Sequence, residues 1–457
     1  MDASPLITRA VGWAAGVFQT VERTGGRVPD GPVLVVANHP NSLLDPLVVF
    51  RVAGRPTRPL AKAPLFEQGM VGPMLRGLGG LPVYRAQDDP ALMHRNEETF
   101  RGAIDALLAG DAVQIYPEGK SHSDPSLAPM RTGAARIAIG AEAESGWTLG
   151  LKIVPVGLTY RDKDRFRGRV LAVIGEPFDI SDLRTLHATD DVAAVRALTD
   201  RIARSLANLT LNVAEHRDAD LIDTAERLYA REKGVSGWRE RDPLADRLPR
   251  MRAFARGLTW LREHDAPRYE RLARSVARYR RRTQLLGAAD GDVPPRYTFG
   301  GTLRYLITHA LLLPLLALPA LAGAVFWYPM YVAPRLTLRI IRPEYEAVAT
   351  YKLATAFIAV PLTMLVVITA GAAIDGARGA LLAAVLVPAC GFAALAWRDR
   401  WNRFSEDVLL FVRVLGRRDH QDRLARDRSV IAAEIDELIE MQVASTDRAV
   451  GRGAQIH

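Results

Sequence analysis

The stretch VLVVANHPNSLLDP, Val33 to Pro46, ends an apolar run on Asn38 and His39 and sets Asp45 five residues clear of that histidine. An imidazole exchanges a proton near neutral pH. A carboxylate bonded to one ring nitrogen fixes the tautomer and stabilises the imidazolium, so that the other nitrogen is left to take a proton from a hydroxyl. The pair is therefore a candidate general base for chemistry on an alcohol. Residue types alone keep a second reading open, since an aspartate opening a helix is commonly a cap and a turn can hold a histidine without a chemical task.

A second stretch, VQIYPEGKSHSDPSLAPMRTGAARIA from Val113 to Ala138, has the same layout. An apolar run ends in Tyr116-Pro117-Glu118-Gly119, and a long loop precedes a helix opening at Thr132. Proline and glycine punctuate the strand end, and Glu118 sits where a polar head can accept hydrogen bonds. Gly119-Lys120-Ser121 invites a phosphate-loop reading, but that motif needs a glycine where Gln114 stands, so it fails. His39, Glu118, His122 and Asp124 fit no tight metal-ligand spacing, and Ser42 lacks a nucleophile elbow. A third stretch, GLGGLPVYRAQ, closes a short run at Tyr84-Arg85, and a guanidinium there is suited to a phosphate.

The elements that must hold these residues follow from periodicity. Between about residues 30 and 180, apolar runs at Val33–Ala37, Arg58–Ala61, Leu81–Tyr84, Ala112–Tyr116, Lys152–Thr159 and Val170–Ile174 read as strands. Asp45–Ala53, Met93–Ala109 and Thr132–Glu144 read as helices between them. The alternation predicts an α/β domain, a mixed sheet flanked by helices, with candidate groups at strand ends, where such sheets build sites. Leu6, Ala10, Trp13, Val17 and Val21 recur at helical spacing, which suggests an amphipathic helix that packs on its own domain or lies on a bilayer; the expectation for residues 1–29 is a membrane-associating helix. Residues 181–300 read as a helical region.

Residues 301–400 change character. Tyr305–Pro334, Leu353–Ile374 and Gly379–Trp397 contain no Asp, Glu, Lys or Arg. About 20 helical residues cross a bilayer core, so the expectation is a membrane region: a proline-broken re-entrant hairpin, then two spans joined at residues 375–378. A helical cytoplasmic tail, 401–457, follows. Lys plus Arg number 60 against 51 Asp plus Glu, a net charge of +9. That excess suits nucleic acid, anionic membrane or acidic substrates. The arginine-rich helices of residues 250–282 are interleaved with Glu263, Asp265 and Glu270, which favours a solvated or lipid-facing use over nucleic acid. The single cysteine, Cys390, rules out an intramolecular disulfide and thiolate metal clusters.

Taken in order, the blocks resemble the glycerolipid acyltransferase family: His39 with Asp45, Gly80 to Arg85, YPEGKSHS, and IVPVGLTY with Pro155. The resemblance covers roughly residues 30–180. It implies that His39 is the general base and Asp45 its orienting partner. It also implies that Arg85 is a phosphate ligand and that Glu118 and Gly119 belong to acceptor binding. Lys62 and Arg131 are further candidates for the phosphate. The fifth residue between His39 and Asp45, where the family usually has four, and the Lys-Ser-His after Pro-Glu-Gly look like its yeast-type glycerol-3-phosphate/dihydroxyacetone-phosphate branch. So does TLNVAEHRDADLIDTAERLY. The implied reaction moves a fatty acyl group from acyl-CoA or acyl-ACP to a glycerol-phosphate hydroxyl at a membrane, without metal or cofactor. A lysophospholipid acceptor, or an inactive lipid-binding scaffold, are the competing expectations.

Overall fold

A computed structural model describes residues 5–67, 71–84, 94–235, 242–285, 299–342, 345, 348–414 and 418–453. They form two compact units: residues 1–216 with 243–248 and 337–354, and residues 217–242 with 249–336 and 355–457.

The first unit is built on seven strands: β1 (Gln19–Gly25), β2 (Val33–Ala37), β3 (Thr57–Lys62), β4 (Leu81–Val83), β5 (Ala112–Ile115), β6 (Lys152–Arg161) and β7 (Gly168–Ile174). Their order is β1-β7-β6-β2-β5-β3-β4. The run from β6 to β4 is parallel; β7 pairs antiparallel with β6, and β1 runs parallel to β7. The central strand β2 is buried along its whole length, as a strand covered on both faces must be.

Handedness decides where the helices go. Helix α1 (Pro5–Phe18) precedes β1; α2 (Leu44–Ala53) joins β2 to β3; α3 (Ala63–Glu67) and α4 (Val71–Gly77) lie between β3 and β4. Helix α5 (Asn96–Leu108) leads into β5, and α6 (Gly133–Glu144) joins β5 to β6. Parallel connections are right-handed almost without exception. The step from β2 to β3 and the step from β5 to β6 go in opposite directions along the sheet, so α2 and α6 lie on opposite faces. Leu34, Val36, Val113 and Ile153 pack with Leu107 of α5, Ile137 of α6, and Leu198, Ile202 and Leu206 of the later helix α8. A short α7 (Arg184–Thr189) precedes that α8 (Asp191–Leu209).

The sequence expectation and the structure part at the N-terminus. The expected helix over residues 1–29 stops at Phe18, and Gln19–Gly25 is an edge strand. Val17 and Val21 are four apart, but Thr20, Glu22 and Thr24 alternate with Val21 and Arg23, and the period of two prevails where β7 offers a partner.

In the second unit, α9 (His216–Glu232), α10 (Leu244–His264), α11 (Ala266–Leu285) and α15 (Arg418–Gly453) supply ion pairs to one another. Arg262 meets Asp218 at 2.6 Å, Arg250 meets Glu226 at 2.7 Å, and Arg428 meets Glu232 at 2.8 Å. Several arginines expected to face solvent or lipid are thus engaged with neighbouring helices. Helix α12 (Phe299–Phe326) runs unbroken through Pro314 and Pro319. The stretches Leu313–Phe326 and Tyr328–Ile341, the latter being α13, meet at a bend of 48°. The break therefore falls beside Pro329, and it is a bend at that point, not a reversal.

Helix α14 (Val348–Val414) has non-helical backbone at Asp375 and Gly376. Gly371 and Gly379 face each other across that break so closely that a Cβ on Gly379 would lie 2.1 Å from the Gly371 carbonyl oxygen. The element is therefore a narrow two-armed hairpin. Its residues 348–402 are long and apolar enough to cross a membrane, and Ile358, Leu362, Leu365, Leu381 and Val385 are exposed along it.

Gly157 in β6 lies against the end of α8, where an added Cβ would sit 2.6 Å from Leu209 Cβ and 2.7 Å from its carbonyl oxygen. Gly157→Ala is expected to destabilise the first unit by about 1–3 kcal/mol, read as a lower thermal midpoint. Gly26→Ala, where a Cβ meets nothing within 4 Å, should leave it unchanged.

Candidate active site

β2 and β5 are neighbours, and their register sets Val36 opposite Ile115. His39 and Glu118 each stand three residues beyond that pair, so the sheet delivers them at the same height. One strand then turns to α2 on one face and the other towards α6 on the opposite face. A crevice at the carboxyl ends of strands that diverge this way is where open α/β sheets bind ligands.

Asn38 prolongs the end of β2. Its side chain donates to the Leu158 carbonyl (3.0 Å) and accepts from the Leu158 amide (2.7 Å), imitating a strand residue. His39 follows with its backbone already fixed. Its Nδ1 lies 2.8 Å from Asp45 Oδ2; the Asp45 side chain is 0% exposed and that of His39 16%. Asp45 is the second residue of α2, where a negative charge is favoured by the helix dipole. The same Oδ2 accepts from the Asn41 amide at 2.7 Å. With Nδ1 held, Nε2 is the nitrogen left for a substrate proton.

The His39 ring stacks on Tyr116, centroids 4.2 Å apart. Burial, then the Asp45 charge, pushes the Tyr116 phenol well above its ordinary value, and the same two causes act on Tyr160. Both phenols therefore stay neutral beside the carboxylate. Tyr160 Oη and Asp45 Oδ1 are both buried, and the Asp45 side chain is near enough to act on the Tyr160 phenol.

Glu118, 3% exposed, is a clamp. Its Oε1 accepts the His39 amide at 2.9 Å. Its Oε2 accepts the Ala128 amide at 2.7 Å and also bonds His122 Nε2. Both oxygens thus bond the protein, and the side chain, 1% exposed, faces the turn it holds and not solvent. Gly119 turns the chain with φ +70°, its amide donating to the Tyr116 carbonyl (3.0 Å). The stem of exposed Arg131 lies over it. Lys62, also exposed, ends β3 at the same edge of the sheet. Arg85 lies outside the described residues, two positions beyond the end of β4. Among the described residues no three His, Cys, Asp or Glu side chains form a metal-holding group.

Other partners were not evident from the sequence. Ser121 Oγ accepts the Ser42 amide at 2.9 Å. Lys163 Nζ donates to the Pro40 carbonyl (3.0 Å) and to Ser123 Oγ. Thr350 Oγ1 accepts the Leu43 amide at 3.2 Å. A polar residue at the very end of an apolar run was the available signal for Asn38; the spacing of Thr350, 307 residues from its partner, offers none.

Residues 20–159 match the family model described as Acyltransferase. That stretch of the chain is an acyltransferase domain. Over 407 residues it is 26% identical to an uncharacterised acyltransferase of Schizosaccharomyces pombe, an overlap of 69% of this chain and 59% of that one. Over 283 residues it is 29% identical to the glycerol-3-phosphate O-acyltransferase 2 of Saccharomyces cerevisiae, 58% of this chain and 37% of that one. A 1-acyl-sn-glycerol-3-phosphate acyltransferase of Bacillus subtilis is 28% identical over 147 residues, 31% of this chain and 65% of that one. The chain thus spans only part of the length of each relative. His39, Asp45 and Glu118 all lie inside the matched domain.

Removing the Glu118 clamp leaves two amides and an imidazole without their acceptor. Glu118→Ala is expected to cost the acyltransferase domain about 3–5 kcal/mol, with Glu118→Gln costing less because it keeps an acceptor oxygen. Denaturation midpoints of the two variants check this ordering.

Proposed function

We propose that the protein transfers a fatty acyl group from a thioester to a hydroxyl of a glycerol-phosphate acceptor, with glycerol 3-phosphate favoured. The observation that carries the reading is the His39 imidazole, held through Nδ1 by the buried Asp45 carboxylate at a diverging strand crevice. His39 Nε2 accepts the acceptor's hydroxyl proton while the oxygen attacks the thioester carbonyl carbon. The tetrahedral intermediate collapses, the carbon–sulfur bond breaks, and the imidazolium returns the proton to the departing thiolate. An ester and a free thiol result. Asp45 stabilises the imidazolium during the step. Arg85, Lys62 and Arg131 are assigned to the acceptor phosphate, and Glu118 to holding the turn that presents His39. Acyl-CoA and acyl-ACP are both acidic donors that a chain of net charge +9 attracts.

The names of the Saccharomyces relative and the Bacillus relative support glycerol 3-phosphate and its 1-acyl derivative as alternative acceptors. The longer overlap with the former favours the unacylated one. An inactive scaffold would have no need to keep a buried carboxylate on a strand-end histidine. Incubation with labelled palmitoyl-CoA and each acceptor in turn tests the reading. His39→Ala should lower the rate about 10²–10⁴-fold, with Asp45→Asn leaving a residual rate. Arg85→Ala should raise the acceptor KM roughly 10–100-fold, the worth of a charge-assisted contact, and spare the thioester KM. Normal turnover by His39→Ala would remove the general-base assignment.

We further infer an integral membrane protein with its catalytic unit in the cytoplasm. Support comes from the exposed apolar arms of α14 and from Trp397 and Trp401, stacked at 5.3 Å beside Arg398 and Arg400 as at an interface. Arg335, Arg339, Arg342 and Lys352 follow the first apolar run. Thr350 bonds the catalytic turn and so lies on its side of the bilayer. Residues 313–341 are then read as a shallow dip into that side, since a 48° bend brings a segment back only when both arms lie close to the bilayer plane, and the short loop at residues 375–378 is external. In a Cys390→Ala background, Ala377→Cys should react with an impermeant thiol reagent in intact cells and Ile340→Cys should not. The reverse pattern would overturn the arrangement.

A further inference from the structure

The turn between His39 and Asp45 has an acceptor for every amide it offers. Pro40 has none to satisfy. The Asn41 amide donates to Asp45 Oδ2, Ser42 to Ser121 Oγ, Leu43 to Thr350 Oγ1, Leu44 to the Asn41 carbonyl and Asp45 to the Ser42 carbonyl. Two of the five are local backbone bonds and one is the catalytic carboxylate itself. The remaining two come from distant side chains, one in the second sequence block and one 307 residues away. Ser42 sits between them at φ +41°, a backbone conformation that a non-glycine residue holds only where its surroundings impose it.

The segment that supplies Thr350 reaches the turn by a second route. Lys352 Nζ donates to the Asp164 carbonyl in the loop between β6 and β7. From the same loop, Lys163 Nζ donates to the Pro40 carbonyl, and the Lys163 carbonyl accepts from Asn41 Nδ2 at 3.0 Å. The Lys163 ammonium also lies 4.7 Å from the centre of the Tyr345 ring. Thr350 therefore holds the catalytic turn directly, and Tyr345 and Lys352 hold it indirectly through the β6–β7 loop. All of these groups belong to the first compact unit. In sequence, the segment stands between the apolar stretches 313–341 and 353–374.

We propose that Thr350 is a positioning residue for the acyl-transfer base. Its hydroxyl holds the Leu43 amide, and with Lys352 it fixes the His39–Asp45 turn in its reactive form, making the turn dependent on a segment that joins two membrane-apolar stretches. The proposal rests on the acyl-transfer reading for its kinetic consequence but not for its structural one. An orphaned amide at Leu43, the N-cap of α2, beside a strained Ser42, lets the turn relax. A base displaced by a fraction of an ångström loses rate without losing substrate affinity.

The test uses the full chain in detergent micelles, with Thr350→Val, Thr350→Ser and Lys352→Met. Thr350→Val keeps the shape and removes the hydroxyl; Thr350→Ser keeps the hydroxyl. Hydrogen–deuterium exchange should rise in peptides spanning residues 40–46 in Thr350→Val and stay at the wild-type level in Thr350→Ser. With palmitoyl-CoA and glycerol 3-phosphate, kcat of Thr350→Val should fall about 10–100-fold with the acceptor KM little changed, and Thr350→Ser should restore it. Lys352→Met, which breaks the other anchor, should move both readouts in the same direction by less, and it serves if Thr350→Val does not fold. Wild-type exchange over residues 40–46, or wild-type kcat, in a folded Thr350→Val protein overturns the proposal. A wild-type protein that acylates no acceptor would sink the acyl-transfer reading instead, leaving the exchange comparison to decide whether Thr350 holds the turn.

Discussion

Everything in the catalytic unit hangs on two parallel strands ending level with each other. The pairing of β2 with β5 is held by side-chain packing, since β2 is buried on both faces and a one-residue slip would put Val33, Val35 and Ala37 where Leu34 and Val36 fit against α5 and α6. Because that register is fixed by the core, the three residues that run past it on each strand arrive side by side without any further instruction. Glu118 then links the two chain ends through the His39 amide. The chemistry is thus positioned by packing energy spent elsewhere in the domain.

The neighbourhood of Asp45 explains how a buried carboxylate survives. Burying an isolated charge is costly unless hydrogen bonds and a counter-charge compensate it. Here the compensation comes from the Asn41 amide, the His39 ring and the amino end of α2. Tyr116 and Tyr160 add bulk and exclude water, and burial beside the carboxylate keeps both neutral. The carboxylate is thereby placed to stabilise a positive charge forming on the imidazole.

The sequence carried the α/β alternation, the strand ends bearing His39 and Glu118, and the narrow break at residues 375–376 because each has a local cause. Apolar runs of fixed period mark strands, and an Asp-Gly pair between charge-free runs marks a turn. It did not carry what depends on distant partners. Strand β1 is legible only when β7 is present to receive it, since its residues are mostly polar and its one valine, Val21, also fits a helix. Glu118 reads as a group for substrate until the loop folds back and supplies the Ala128 amide and His122. Thr350 is one hydroxyl among many until α2 leaves the Leu43 amide without an intrahelical acceptor.

No residue separates α1 from β1: Phe18 ends the helix and Gln19 begins the strand. Strand β1 is also what covers β7, whose other side is already paired with β6. The N-terminal segment is thus the seal on an otherwise open sheet edge. Without it β7 would present a row of unpaired amides and carbonyls on a strand containing Val170, Leu171 and Ile174, the kind of surface that recruits strands from other molecules. Protection of that edge is therefore bound up with residues 19–25, which are made about 150 residues before the strand they pair with.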